Sequence, residues 1–224
     1  MRRLLALAVL LCLPLSEAGA EVVTRLPTTD KVVALTFDAC EAPHQPAEFD
    51  QSILAVLESE KLPFTIFATG LFAEHHHDEL ARLARSPLVE VENHSYSHRQ
   101  HMDRLDSAAL DDEVRRADQA IIAATGRKPI FFRFPAGNYD AKALARIEAS
   151  GHMVVHWRFP SGDPVRGLAP ERLRQWVLDK TRPGDILIFH INGRAPATKT
   201  ALPEIVATLK ARGYRFVRLD EVLK

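Results

Sequence analysis

Leu88-Val89-Glu90-Val91-Glu92-Asn93-His94-Ser95-Tyr96-Ser97-His98 decides the reading of this chain. It opens as a short strand-like run and closes on two histidines four residues apart. Two imidazoles offered from the end of a strand hold a divalent metal while leaving positions open for water. Alone, the pair describes two surface histidines equally well. Its weight comes from the segments on either side, which repeat the same design of a buried strand with chemistry at its end.

Further strands are predicted at Val32 to Phe37, Phe64 to Ala68, Phe131 to Arg133, Met153 to Trp157, Ile186 to His190 and Arg215 to Val217, beside Val89 to Asn93. Most are short apolar runs without alternation, as buried parallel strands require. Helical patterns fill the gaps. Phe49, Ile53, Leu54, Val56 and Leu57 make one apolar face, and Leu80, Leu83 and Ala84 another. Ser107 is placed as the cap of a third helix with Leu110, Val114, Ala117 and Ile121 inside and Gly126 at its end. Leu144 and Ile147, then Leu173, Trp176 and Val177, then Leu202, Ile205, Val206 and Leu209 supply the rest, with Gly213 closing the last. Seven β/α alternations without repeats predict one α/β domain, barrel-like, of about seven parallel strands. In such a barrel the active site lies at the strand C-termini.

The start of the chain belongs to another category. Met1-Arg2-Arg3, an apolar run from Leu4 to Leu15 and the ending Ala18-Gly19-Ala20 describe a secretory signal peptide over residues 1–20. The apolar run is too short to span a bilayer, which takes about 20 such residues. The expectation is an exported protein, periplasmic or extracellular, whose folded domain covers residues 21–224 with no transmembrane anchor after cleavage. Of 29 basic and 29 acidic groups, loss of Arg2, Arg3 and Glu17 leaves 27 and 28. No basic field points to nucleic acid. With Cys12 in the leader, Cys40 is the one cysteine of that domain, so no internal disulfide forms there.

Chemistry-bearing residues fall at the strand ends in a fixed order. The first strand ends Thr36-Phe37-Asp38-Ala39-Cys40 and the third ends at His94 and His98. The fourth runs into Arg133-Phe134-Pro135-Ala136, the fifth leads through Trp157 to Asp163, and the sixth ends Leu187-Ile188-Phe189-His190. Together these resemble the five motifs of the polysaccharide deacetylases, the NodB-like carbohydrate esterases: T-F-D-D-G, H-[ST]-x-x-H, R-x-P-[YF], D-x-x-D-W and L-x-x-H. The resemblance covers about Lys31 to Leu223. It implies a distorted (β/α) barrel, a divalent metal, most simply zinc, and hydrolysis of N- or O-acetyl groups on a polysaccharide or oligosaccharide.

The resemblance also implies roles. His94 and His98 become metal ligands, Asp38 the general base and His190 the general acid. Asp163 is expected to hold Arg133, which in turn orients Asp38 through its planar, permanently charged fork. Leu187 is expected to line the pocket for the acetyl methyl, Trp157 to line the barrel near Asp163, and the backbone N–H of Ala136 to steady the oxyanion. Outside these roles, Asp38 suits a turn, His190 and Leu187 a strand core, and Arg133 a surface ion pair.

Departures from the motifs are specific. Ala39 stands where the family has its carboxylate ligand, and Cys40 stands for the glycine after it. Glu41, His44, Cys40 or a rotated Asp38 are the replacement donors in reach, although Cys40 suits a small packing residue too. Ala136 replaces an aromatic, Pro160 the first aspartate of the fourth motif and Pro164 its tryptophan. His75, His76 and His77 read as a solvated helix start, His101, three residues after His98, is not assigned to the site, and Trp176 reads as core. Two functions remain: a deacetylase, or a glycan-binding relative left weak or inactive by the loss at position 39.

Overall fold

The computed structural model describes residues 21–223; the signal peptide read from residues 1–20 lies outside them. Seven strands form one wholly parallel sheet: β1 (Val32–Ala39), β2 (Phe64–Ala68), β3 (Val89–Asn93), β4 (Phe131–Phe132), β5 (Met153–Val154), β6 (Ile186–His190) and β7 (Arg215–Val217). They run β5-β4-β3-β2-β1-β6, with β7 paired to the start of β1 at Val32–Ala34. Helices α1 (Gln51–Ser59), α2 (Gly70–His75), α3 (His77–Ala84), α4 (Ser107–Thr125), α5 (Ala141–Ala149), α6 (Pro170–Lys180) and α7 (Pro196–Ala211) carry the chain between strands. This is the distorted (β/α) barrel expected from the alternation.

Strand periodicity sorts the side chains into two layers. Leu35, Phe37 and Ala39 of β1, Ile66 of β2, Val91 of β3 and Leu187 and Phe189 of β6 join the helices in the main apolar core. Phe37 meets Phe64 edge-on at 6.0 Å and Phe189 at 5.8 Å; each fully buried ring contributes roughly 1.5–3 kcal/mol. The alternate residues Val32, Ala34, Phe67, Phe131, Val155 and Ile186 pack in a second, interior cluster. In β3 the alternation brings a surprise for a strand read as apolar: Glu90 and Glu92 are buried. Glu90 accepts from the Thr65 hydroxyl at 2.6 Å and the Leu219 N–H at 3.1 Å, and Glu92 accepts from the N–H groups of Ile130 and Phe131. Buried carboxylates survive because backbone and hydroxyl donors serve them.

β5 and β6 do not pair with each other, and the stretch before β1 covers the gap. Val23 bridges Val155 in parallel and Arg25 bridges Asp185 antiparallel, while the Leu26 N–H donates to the Gly184 carbonyl at 2.7 Å.

Local signals set the boundaries. Asp50 caps α1 through the Ser52 and Ile53 N–H groups. Asp106, rather than Ser107, caps α4 by accepting from Ala109 at 2.8 Å; aspartate accepts at least as well, and its position leaves Ser107 as the first helical residue. Gly126 ends that helix at φ 71, the left-handed cap that glycine adopts without strain. The histidine run joins α2 to α3 instead of opening one solvated helix. Trp176 is 44% exposed, its indole N–H on the Pro160 carbonyl at 2.9 Å, so it sits outside the core assigned to it. No described helix is long and apolar enough to cross a membrane.

Candidate active site

Parallel register carries the motif residues to one end of the barrel. Asp38 of β1 lies beside His190 of β6, and Ala68 of β2 beside Asn93 of β3, immediately before His94. A cavity of about 340 Å³ opens there, walled by Asp38, Cys40, His94, His98, Ala136, Trp157, Asp163, Ile188 and His190.

Arg133 is fully buried and anchors one wall. Its Nη1 donates to Asp38 Oδ1 at 2.7 Å, its Nε to the Val155 carbonyl at 3.2 Å, and its guanidinium lies 3.9 Å over the Phe67 ring. The Arg133 carbonyl accepts Nδ1–H of His94 at 2.8 Å. One residue therefore orients both the aspartate and the first histidine. Burial alone would raise the Asp38 carboxyl, but the Arg133 charge together with the imidazoles of His94 and His190 holds Asp38 below its ordinary range. With Nδ1 committed, His94 turns Nε2 into the cavity, 3.6 Å from Asp38 Oδ2 and without a hydrogen-bond partner among the described residues. Burial works against a charged His94, and the Asp38 carboxylate, Cys40 and the Arg133 carbonyl together raise the imidazole. The ring of His98 stands 5.2 Å away, carried by a residue at φ 54.

The opposite wall is built on Asp163. Its Oδ1 accepts Nδ1–H of His190 at 2.9 Å, and its Oδ2 accepts the His190 backbone N–H at 2.7 Å and the Thr198 hydroxyl at 2.9 Å. This corrects the expected relay: Asp163 holds His190, and Arg133 reaches Asp38 without it. The loop after β5 places Asp163 next to β6, so its two oxygens are taken by His190 and Thr198. Burial alone would lower His190, yet Asp163 and the neighbouring Cys40 together drive it well above the ordinary histidine range. Nε2 is left to the cavity.

Leu187 is also corrected. Residues three apart on a strand face opposite sides, so with His190 inward Leu187 points outward, into the helix-covered core. Ile188, two before His190, lines the cavity instead. Trp157 does line it, stacked on His156 with centroids 5.1 Å apart. Burial and the nearby Arg133 charge hold His156 down at about 3, so that ring is neutral. Ala136 lines the cavity at φ 56, a left-handed conformation unusual for alanine and of the sort found where a backbone is held for function.

Of the substitute donors, only Cys40 reaches the two histidines. Glu41 is buried but accepts His75 Nδ1–H at 2.5 Å and is absent from the cavity wall. His44 and His101 are exposed and also absent from it. Burial would push the Cys40 thiol up, but the imidazoles around it, His94 foremost, bring it well below the usual thiol range. Cys40 lies two positions after Asp38, the interval that returns a strand to the same face. That spacing and the period through Ile188 were the available sequence signals for both residues.

The sequence pattern of polysaccharide deacetylases matches residues 25–155. The chain belongs to the polysaccharide deacetylase family. Family relatives are carbohydrate esterases, which are hydrolases. A chitooligosaccharide deacetylase from Rhizobium leguminosarum bv. trifolii is 28% identical over 93% of this chain and 95% of its own length. A solved mutant of a CE4 family pseudoenzyme, described as having restored enzymatic activity, is 25% identical with a TM-score of 0.80, covering 92% of this chain and 72% of that one; its wild type is from Bacillus anthracis. A family 4 acetyl xylan esterase from Clostridium thermocellum, solved with a cobalt ion, is 25% identical with a TM-score of 0.76, over 86% of this chain and 90% of that one. The donors on the cavity of this chain suit a divalent ion. The buried, unpartnered Nε2 of His94 is a ready nitrogen donor, and His98 and Cys40 converge on it.

Proposed function

We propose that this chain is an exported, metal-dependent hydrolase that removes acetyl groups from a polysaccharide or oligosaccharide carrying N-acetylglucosamine-type or O-acetyl sugars. The observation that carries this reading is the pairing across one cavity. Arg133 favours the carboxylate form of Asp38 on one wall, and Asp163 favours the imidazolium form of His190 on the other. A binding site has no use for an acid and a base poised in opposite states, whereas acyl transfer to water needs both.

His94 and His98 would hold the metal, and zinc suits imidazole donors. What a divalent metal supplies there is Lewis acidity toward the acetyl carbonyl and toward water. Asp38 takes a proton from the attacking water through Oδ2, the oxygen that Arg133 leaves free. The acetyl carbon becomes tetrahedral, and the backbone N–H of Ala136 steadies its oxyanion. His190 Nε2–H then gives its proton to the departing amine or alkoxide, so the C–N or C–O bond breaks to acetate and a neutral sugar amine or hydroxyl. Trp157 offers a flat face to a sugar ring. The Rhizobium relative's amide substrate and the Clostridium relative's ester substrate support both acetyl classes. The apolar leader of residues 1–20 supports export to the periplasm or beyond.

A second reading keeps the fold and loses turnover. Ala39 carries no donor where the family pattern has a carboxylate, and a pseudoenzyme lies among the structural neighbours. Acetate release decides between the two. Purified chain, loaded with zinc or cobalt, is offered acetylated chitooligosaccharides and acetylated xylan. Multiple turnovers on either support the hydrolase; glycan binding without acetate supports the second reading.

A further inference from the structure

We propose that Cys40 is a metal ligand, so that this chain holds its ion through a Cys–His–His set with His94 and His98. The proposal rests on the metal-dependent reading above and names the donor that stands in for the carboxylate missing at position 39. Along β1, Leu35, Phe37 and Ala39 face the helices, and Asp38 faces the cavity. Ala39 is completely buried in that apolar layer. The backbone therefore aims position 40, not position 39, at the histidines.

Cys40 Sγ and one ring nitrogen each of His94 and His98 all lie within 4.8 Å of one another. The independent sign of a ligand comes from His94. That side chain is 1% exposed, and its Nδ1–H is spent on the Arg133 carbonyl, so Nε2 is the nitrogen left to offer a lone pair to a cation in place of a proton. Nε2 points into the same space with no hydrogen-bond partner among the described residues. A buried polar atom left so is disfavoured, and a cation between nitrogen and sulfur satisfies it. Two hydrogen bonds fix the peptide unit that follows Cys40. Asn192 Nδ2 donates to the Cys40 carbonyl at 2.6 Å, and the next N–H, that of Glu41, donates to Thr69 Oγ1 at 3.0 Å.

One thiolate and two imidazoles select a borderline-soft ion such as zinc or cobalt over magnesium or calcium, which want oxygen. On binding, the metal–sulfur bond replaces the S–H bond and the proton leaves to solvent; no oxidant or reductant takes part. Three protein donors leave a tetrahedral ion one open position, as catalytic zinc sites do.

The test reads the metal directly. In the full chain carrying Cys12→Ser, Cys40 is the sole thiol. The stripped protein is titrated with cobalt and then zinc. We expect one ion per chain, a thiolate-to-cobalt charge-transfer band, and protection of Cys40 from alkylation that chelator reverses. Cys40→Ala should lose the band and weaken metal binding by more than about a hundredfold, since even outer partners of a ligand are worth about 10- to 100-fold. Cys40→Asp should recover the ion without the band. An ion bound as tightly by Cys40→Ala, or a wild-type complex with no band and a freely alkylated thiol, overturns the assignment even if acetate is still released. A protein that takes up no metal overturns it together with the metal-dependent function. Full metal and band without acetate release leaves the ligand standing and removes the hydrolase.

Discussion

Arg133 is the residue on which one wall of the cavity depends, because its side chain fixes Asp38 and its carbonyl fixes His94. Arg133→Lys keeps a charge but loses the fork, so the aspartate drifts and kcat should fall by about a hundredfold or more. Circular dichroism checks that the fold survives; near-wild-type turnover in a folded variant would make Arg133 structural only. His190→Ala separates proton donation from other roles. An amide leaving group needs the proton and an activated aryl acetate scarcely does, so the amide rate should drop by roughly 10²–10⁴ and the aryl rate far less. Equal losses on the two substrates would point to a ligand or packing role. Asp38, His94, His98, Arg133 and His190 were legible because each ends a strand in a recognisable spacing. Asp163 was found but given the wrong partner, since its contacts depend on how the loop after β5 folds back rather than on any periodic pattern. Leu187 was a motif match that strand alternation, applied to His190, excludes.

At the scale of elements, β2, β3, β6 and β7 fall where short apolar runs place them. β1 runs two residues further, to Ala39, because β2 continues to pair with it through Ala39↔Ala68. β5 stops at Val154, short of the predicted Trp157, because Val23 takes over as the partner of Val155. That pairing joins segments far apart in sequence, so local pattern could not show it. It also yields a prediction. Gly184 sits at φ 82, and a Cβ there would stand 2.9 Å from the Leu26 carbonyl oxygen and 3.1 Å from that of Thr28. Both are backbone atoms held by the strap, so relief means moving it. Gly184→Ala should cost about 1–3 kcal/mol, read as a melting temperature several degrees lower. An unchanged melting temperature would show that the strap yields freely.

Across the whole molecule, the barrel interior grades from carboxylates on β3 to the charged cavity above. Burial, joined by the Asp220 charge and only partly offset by the Thr65 and Leu219 donors, lifts Glu90 from 4.5 to about 7, and Glu92 beside it is raised well above its ordinary range. Between about pH 4.5 and 7 the folded chain keeps a Glu90 proton that the unfolded chain has released. The folded state is then favoured at low pH, and stability falls as pH rises through that window. Denaturant titrations of wild type and Glu90→Gln at pH values across it should show a steeper decline in wild type. Parallel curves would mean that Glu90 stays ionised throughout. The most direct test of the central claim combines metal and base at the one cavity. Acetate release from an acetylated chitooligosaccharide is followed for stripped and zinc-reloaded protein, wild type beside Asp38→Asn. The account predicts turnover only in reloaded wild type, with Asp38→Asn binding zinc yet releasing almost no acetate. Equal turnover by stripped protein, or by Asp38→Asn, would contradict it.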